Sequence, residues 1–300
     1  VTSVDDFAWL PAALAEAGHA AAPQLEVHRH AVTTSEGGTL SALRWGQGEP
    51  ELVFLHGGGQ NAHTWDLVIA LLGRPALAID LPGHGHSSWR DDRDYSPAAN
   101  AKAVAEVVSG VTSTPPVVIG MSLGGLTTIA LAHDHPALVA RAIIVDITPR
   151  ADQAGDRVPL EKQGQVALLR GPREFDSLDE MVDAVVATSP HRDRDVLRRG
   201  VVHNSLELPN GRRRWRYDDL AAARSALGTS GAGWNDLGSL RIPLMLVTGG
   251  DSAFVSADDL AEFRQRVPDA RVESVAHSGH AVQSDQPLVL AELIEGFLAS

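Results

Sequence analysis

Val117-Val118-Ile119-Gly120-Met121-Ser122-Leu123-Gly124-Gly125 is the stretch from which the rest of the chain can be read. Three apolar strand-formers run into the pattern G-x-S-x-G, and Leu126 to Ala132 continue as an apolar helical segment. In that strand-turn-helix setting the motif has a mechanical meaning. A tight turn strains the backbone at Ser122 and projects its hydroxyl above the edge of a sheet. Gly120 and Gly124 omit the Cβ atoms that would collide where strand and helix approach, and Gly125 extends the clearance. Ser122 is therefore a candidate nucleophile.

Outward from this turn, Leu52–Leu55, Ala76–Ile79, Pro116–Ile119, Ala142–Val145 and Leu244–Val247 are short continuous apolar runs. Such runs suit parallel strands buried on both faces. Between them lie helical patterns at Trp65–Leu72, Pro97–Ser109, Leu123–His133 and Ala257–Arg266. Val27–Thr34 and Leu40–Trp45 alternate with period two around Glu36-Gly37-Gly38, which predicts an antiparallel hairpin. Arg271–Ala276 reads as a last strand, Pro287–Leu298 as a closing helix, and Phe7–Ala22 as an amphipathic surface helix. The alternation predicts an α/β domain, a sheet with helices on both faces. From about residue 150 to 240 no buried-strand run occurs, only helix-like stretches broken by Gly and Pro. That interval is a candidate insert. Residues 151–240 hold 13 Lys+Arg and 14 Asp+Glu, so nearly all of the net charge of -13 lies elsewhere. Arg198-Arg199 and Arg212-Arg213-Arg214 read as solvated faces.

Charge and composition exclude whole classes. A net charge of -13 repels phosphate backbones, which argues against nucleic acid and anionic membranes as partners. With Cys at 0, disulfides, thiolate metal sites and a cysteine nucleophile are impossible. No run of 18 apolar residues is present, so no membrane span is expected. Asp5 and Asp6 stand where a signal peptide would be positive, so a cytoplasmic setting is expected.

A serine hydroxyl is a weak nucleophile at neutral pH and requires a general base, usually histidine. Of 13 histidines, His280 in Ser278-Gly279-His280 follows the last strand and can reach the sheet edge that carries Ser122. His277 is taken as structural. His84, His86, His133 and His135 are read as turn and helix-end residues, and no metal is expected for want of a third ligand at a suitable spacing. Two carboxylates compete to orient the base, Asp146 after Ala142–Val145 and Asp251 after Leu244–Val247. Both sit at carboxyl ends of central strands, where open α/β sheets assemble their sites. Acyl transfer also needs donors aimed at the developing oxyanion. Leu55-His56-Gly57-Gly58-Gly59 follows the first parallel strand, and the N–H groups of Gly58 and Leu123 can form that hole. Met121 flanks the nucleophile, Trp65 opens the next helix, and the insert offers Phe175, Trp215, Tyr217 and Trp234. Met121, Trp65 and Trp215 are the candidate pocket residues, implying a largely apolar substrate.

Four motifs, in order and separation, resemble the α/β-hydrolase superfamily: Leu55-His56-Gly57-Gly58-Gly59, Asp80-Leu81-Pro82-Gly83-His84-Gly85-His86-Ser87, Gly120-Met121-Ser122-Leu123-Gly124 and Ser278-Gly279-His280. The resemblance implies the α/β-hydrolase fold, a mostly parallel eight-stranded sheet flanked by helices. It implies a mainly helical cap inserted after the sixth strand, with core at 1–149, cap at 150–240 and core again at 241–300. It further implies Ser122 as nucleophile, His280 as base, Gly58 and Leu123 as oxyanion donors, and Asp80 as a structural residue of its turn. The departure is the acid. Most members carry it three or four residues beyond the glycine ending the seventh strand, and from Gly249 those positions hold Ser252 and Ala253. Some members use an acid at the end of the preceding strand, which Asp146 matches, so Asp146 is the preferred acid and Asp251 the alternative.

The implied function is a serine hydrolase that cleaves a carboxylic ester or lactone of a small, largely apolar substrate through an acyl-enzyme. Serine at the turn argues against dehalogenases and epoxide hydrolases of this superfamily, which use Asp there. A carbon-carbon hydrolase of the meta-cleavage-product type and a non-catalytic ligand-binding protein are the alternatives. No cofactor is implied, the partner is a small-molecule substrate, and monomer and dimer are both open.

Overall fold

The structure is a computed structural model that describes residues 7–18, 26–149, 158, 163–171, 173–190, 192–219 and 232–300. Helix α1 (Leu10–Glu16) buries Leu10 and Leu14, and residues 19–22 of the helix expected there lie outside the described residues. The hairpin forms as β1 (Val27–Thr33) and β2 (Thr39–Trp45), antiparallel from Val27 opposite Trp45 to Thr33 opposite Thr39. There follow β3 (Leu52–Leu55), α2 (Asp66–Leu72), β4 (Ala76–Ile79), α3 (Pro97–Val111), β5 (Val117–Met121), α4 (Leu123–Asp134) and β6 (Arg141–Val145).

Between β6 and the next strand of the main sheet lie β7 (Glu174–Phe175), α5 (Leu178–Thr188), α6 (Arg194–His203), β8 (Ser205–Glu207), β9 (Arg213–Trp215) and α7 (Ala232–Ser239). The chain closes with β10 (Leu244–Gly249), α8 (Ala257–Arg266), β11 (Arg271–Val275), α9 (Val282–Asp285) and α10 (Pro287–Leu298). The main sheet has eight strands in the order β1-β2-β4-β3-β5-β6-β10-β11. Within this sheet, among the described residues, only the β1–β2 and β2–β4 pairs are antiparallel. Among the described residues no helix is long and apolar enough to cross a membrane.

Strand residues alternate between two apolar layers, which is why continuous apolar runs mark them. Val53, Leu55, Val118 and Ile144 face one layer, while Leu52, Phe54, Ile119 and Ile143 face the other. The first layer is closed by α3 and α4, the second by α1, α2 and α10. Each such aliphatic side chain contributes about 1.5–3 kcal/mol on full burial. The parallel pairs are aligned so that Leu55 lies opposite Gly120, Met121 opposite Val145, and Val145 opposite Val247. Their carboxyl ends therefore form one rim.

The stretch after β6 carries two features beyond the mainly helical insert expected there. First, it contains a small antiparallel sheet, β7-β9-β8. These strands are two or three residues long, and β9 reads Arg213-Arg214-Trp215, so no apolar run signals them. Second, α7 packs on α4, with Trp234 and Leu237 in the main core. Trp234 is thus a core residue and not part of a pocket. The remaining elements hold an apolar cluster of their own, including Phe175, Met181, Val185, Leu197, Val201 and Trp215. Side-chain caps start both helices: Ser177 accepts from the Glu180 N–H, and Asp193 from the N–H groups of Asp195 and Val196.

This stretch is tied to the rim by direct contacts. Asn204 Nδ2 donates to Gly59 O at 2.6 Å, and the Gly85 N–H donates to Arg216 O at 2.9 Å. Arg192 pairs with Asp285 at 2.7 Å, both side chains largely buried. The arginine runs expected to be solvated are in fact engaged. Arg198 pairs with Asp179, Arg199 lies over Trp9, Arg212 pairs with Glu174 and Asp176, Arg213 pairs with Glu207, and Arg214 lies over Trp89.

Candidate active site

Ser122 lies between β5 and α4 with φ +52 and ψ -116, a conformation that L residues adopt at a cost of about 1–3 kcal/mol. Its neighbours hold it there: the Ser122 N–H donates to Val145 O at 3.1 Å, and Ser122 O accepts from the Leu126 N–H. The glycines around it are sterically required. A Cβ on Gly120 would stand 2.2 Å from Gly124 O, and one on Gly124 would stand 2.2 Å from Leu55 O.

His280 reaches the same rim from the turn after β11. Ser278 Oγ donates to Val275 O at 2.9 Å and the Gly279 N–H donates to Asp285 Oδ2 at 2.9 Å, which fix the turn on either side. The imidazole is buried, and its Nδ1 stands 2.8 Å from Asp146 Oδ2. Nε2 is buried and has no hydrogen-bond partner among the described residues. Asp146 also has a positive φ, +52, and its N–H donates to Val247 O at 2.7 Å. Of four non-glycine residues with positive φ among the described residues, Ser122, Asp146 and His277 are three.

Asp146 is fully buried and well supplied with donors. Oδ1 accepts from the Gly249 N–H at 2.9 Å, and Oδ2 accepts from Ser252 Oγ at 2.5 Å as well as from His280. Asp251, the other candidate acid, is exposed; its N–H donates to Ser278 O, and its side chain lines the cavity without a hydrogen bond to His280. The geometry thus joins His280 to Asp146 and not to Asp251. The ring of Phe254 lies flat against the His280 ring, centroids 3.6 Å apart and planes at 13°. Neither the Ser252 nor the Phe254 contact was expected from the sequence. Ser252 occupies one of the positions where the resemblance places an acid, which was the available signal.

The N–H groups of Gly58 and Leu123 have no hydrogen-bond partner in the protein among the described residues. The loop carrying Gly58 is braced on both sides. The Gly57 N–H donates to Gln60 Oε1 at 3.1 Å, and the Gly59 N–H donates to His84 Nε2 at 3.1 Å. His84 in turn donates from Nδ1 to Pro82 O, while His56 donates from Nδ1 to Gly57 O and accepts the Leu81 N–H at Nε2. Burial pushes the His84 pKa down to about 3, helped by the neighbouring His56, and burial also lowers that of His56. Both rings are therefore neutral acceptors that shape the loop. His84 thus does more than end a turn. Asp80 carries out the structural role expected of it, accepting from the N–H groups of Ala62 and His86 and from Arg29 Nη1. Burial would raise its pKa, but these donors and the arginine charge bring it below the usual carboxylate range.

Ser122, His280, Gly58 and Met121 line one cavity of about 340 Å³, together with Gln163, Val166, Arg192 and Asp251. A second cavity of about 330 Å³ shares Gly58, Gln60 and Arg192 with the first and is lined by Leu168, Leu169, Leu197, Val201, Trp215 and Tyr217. Trp215 thus belongs to the second cavity. Trp65, expected at the pocket, lines neither; it is fully buried against Phe54, ring centroids 5.1 Å apart. Its place at the start of α2 turns the indole into the core. His133 sits at the surface, with Nδ1 bonded to Ser239 Oγ. Among the described residues no group of three His, Asp or Glu side chains is placed to hold a metal ion.

The family model for α/β hydrolases matches residues 52–293. This chain belongs to the α/β hydrolase family. Over 299 residues this α/β hydrolase is 48% identical to Esterase Rv0045c of Mycobacterium tuberculosis, covering 99% of this chain and 97% of that protein. It is 27% identical to the sn-1-specific diacylglycerol lipase ABHD11 of Mus musculus, with 83% and 81% of the two chains covered. A solved structure of the M. tuberculosis esterase Rv0045c superposes with a TM-score of 0.86 at 48% identity, covering 100% of both chains.

Proposed function

We propose that this α/β hydrolase is a serine esterase that cleaves a carboxylic ester of a small, largely apolar substrate through an acyl-enzyme on Ser122. The observation that carries the reading is the buried His280, fixed by Asp146 through Nδ1 and leaving Nε2 without a partner among the described residues on the cavity that contains Ser122. The 48% identity to an esterase along nearly the whole chain supports ester chemistry over the other reactions this fold carries out.

In the first step Ser122 Oγ bonds to the ester carbonyl carbon as its proton passes to His280 Nε2. The carbonyl oxygen becomes an oxyanion and accepts from the N–H groups of Gly58 and Leu123, which have no hydrogen-bond partner among the described residues. The tetrahedral intermediate collapses, the carbon–oxygen bond to the alcohol breaks, and the imidazolium returns its proton to the departing alkoxide. Water then adds to the acyl carbon with His280 again taking a proton; the bond to Ser122 Oγ breaks, His280 returns that proton to Ser122 Oγ, and the acid leaves. Asp146 holds the imidazole in the tautomer with hydrogen on Nδ1 and stabilises the transient cation. An apolar arm of the ester extends past Gly58 into the second cavity, against Leu169, Val201 and Trp215.

Ser122→Ala tests the reading. Hydrolysis of p-nitrophenyl esters falls by roughly 10⁴-fold or more while the thermal unfolding temperature is retained. A fluorophosphonate probe modifies the parent protein once, at Ser122, and leaves the variant unmodified. A Ser122→Ala protein with full activity, or a folded parent that takes up no probe, would overturn the assignment.

A further inference from the structure

The last residue of β10 and the loop that follows it support the His280–Asp146 pair, yet they hold neither residue. The Gly249 N–H donates to Asp146 Oδ1, and three residues later Ser252 Oγ donates to Oδ2, the same oxygen that faces His280. The Ser252 oxygen accepts from the Phe254 N–H at 3.2 Å, so the serine also sets the turn that aims the phenyl ring. Phe254 is 6% exposed, and its ring covers one face of the imidazole almost in parallel.

We propose that Ser252 and Phe254 are positioning residues for the reaction, Phe254 backing the His280 ring so that the cation formed on accepting the Ser122 proton is stabilised, and Ser252 drawing off part of the Asp146 charge. This rests on the reading of His280 as base. The face of a phenyl ring is electron-rich, and a cation held against it is attracted to it. An aliphatic side chain of similar bulk fills the same space without that attraction. The Ser252 hydroxyl acts in the opposite direction. A carboxylate oxygen that accepts two hydrogen bonds has less charge to offer the imidazolium than one that accepts a single bond. The pair is thus set between a group that favours its charged form and a group that restrains it. Among the described residues the other titratable or charged groups on this cavity, Asp251, His277 and the Arg192–Asp285 pair, are the same in every variant considered below.

The two residues therefore leave opposite marks on the pH profile, which loosening of the fold does not. Phe254→Leu lowers kcat on p-nitrophenyl acetate roughly 5- to 30-fold with little change in KM. It also moves the acid limb of the kcat/KM profile down by about 0.5 pH unit. Phe254→Tyr keeps the aromatic face and restores both. Ser252→Ala moves the acid limb up, and Ser252→Thr restores it. Should Phe254→Leu fail to fold, Phe254→Met makes the same comparison, and the serine variants stand independently. Leu and Tyr variants with equal effects, or Ser252→Ala and Phe254→Leu moving the limb in the same direction, would overturn the proposal. Fluorophosphonate labelling of Ser122 in the parent separates this failure from failure of the esterase reading: a labelled parent with unmoved limbs sinks only the roles of Ser252 and Phe254.

Discussion

A carboxylate orients an imidazole only from hydrogen-bond distance, and Asp146 stands at that distance from His280 while Asp251 is exposed on the cavity wall. Asp146→Asn replaces an acceptor with an amide that cannot fix the required tautomer, so kcat on a small activated ester falls about 10⁴-fold. Asp251→Asn changes it by no more than about twofold. Loss of activity in the second variant alone would reverse the assignment. At this scale the sequence is informative wherever chemistry restricts the residue type. Only a serine in a glycine-flanked turn, a histidine after the last strand and an acid at a strand end suit the reaction, so Ser122, His280 and Asp146 could be picked out with one acid in competition. Phe254 could not, and Ser252 was marked only by standing where the resemblance places an acid. A phenylalanine and a serine in a loop have no special meaning until folding sets one on the imidazole and the other on the carboxylate. Trp65 failed for the converse reason, since an aromatic ring suits a core as well as a pocket.

Elements were legible in proportion to their burial. Strands β3, β4, β5, β6 and β10 are covered on both faces and read as apolar runs, whereas β7, β8 and β9 are short, and their register depends on tertiary packing that leaves no periodicity. The joint between β5 and α4 is the element-scale constraint on catalysis. Gly124 lies so close to β3 that an added Cβ would meet Leu55 O at 2.2 Å and His56 O at 2.7 Å. Both obstacles are backbone, so no side-chain rotation relieves the clash. Gly124→Ala therefore costs about 3 kcal/mol or more and pushes α4 away from the loop that carries Gly58. Denaturant unfolding should show the lost stability, and the protein that remains folded should turn over esters far more slowly than the parent. By contrast Gly110, on α3, has nothing within 4 Å of its added Cβ, and Gly110→Ala serves as the control, with stability unchanged or raised by up to about 1 kcal/mol. Equal behaviour of the two variants would mean that the close approach is not a constraint.

For the molecule as a whole, the site is assembled by neutral histidines as much as by its eight strands. His56 and His84 join the ends of β3 and β4, and half-buried His203 stacks on His63 where α6 meets the core, ring centroids 3.8 Å apart. Burial holds the pKa of His84 at about 3 and that of His203 at about 3, the latter also through the charges of His63 and Arg29. In the unfolded chain each titrates near 6.5. Above that pH both states are neutral and the histidines add no pH dependence. As pH falls below it the unfolded chain takes up protons that the folded protein refuses, so stability drops progressively between about pH 6.5 and pH 3. For His84 alone the loss between pH 6.5 and 5.5 is about 1 kcal/mol. His84→Gln keeps an acceptor for the Gly59 N–H and removes the titration. Its unfolding free energy in urea should lie below that of the parent at pH 7.5, with the gap narrowing by about 1 kcal/mol on going from pH 6.5 to 5.5. Parallel curves across that range would show that His84 titrates alike in both states and does not hold the oxyanion loop as a buried neutral ring.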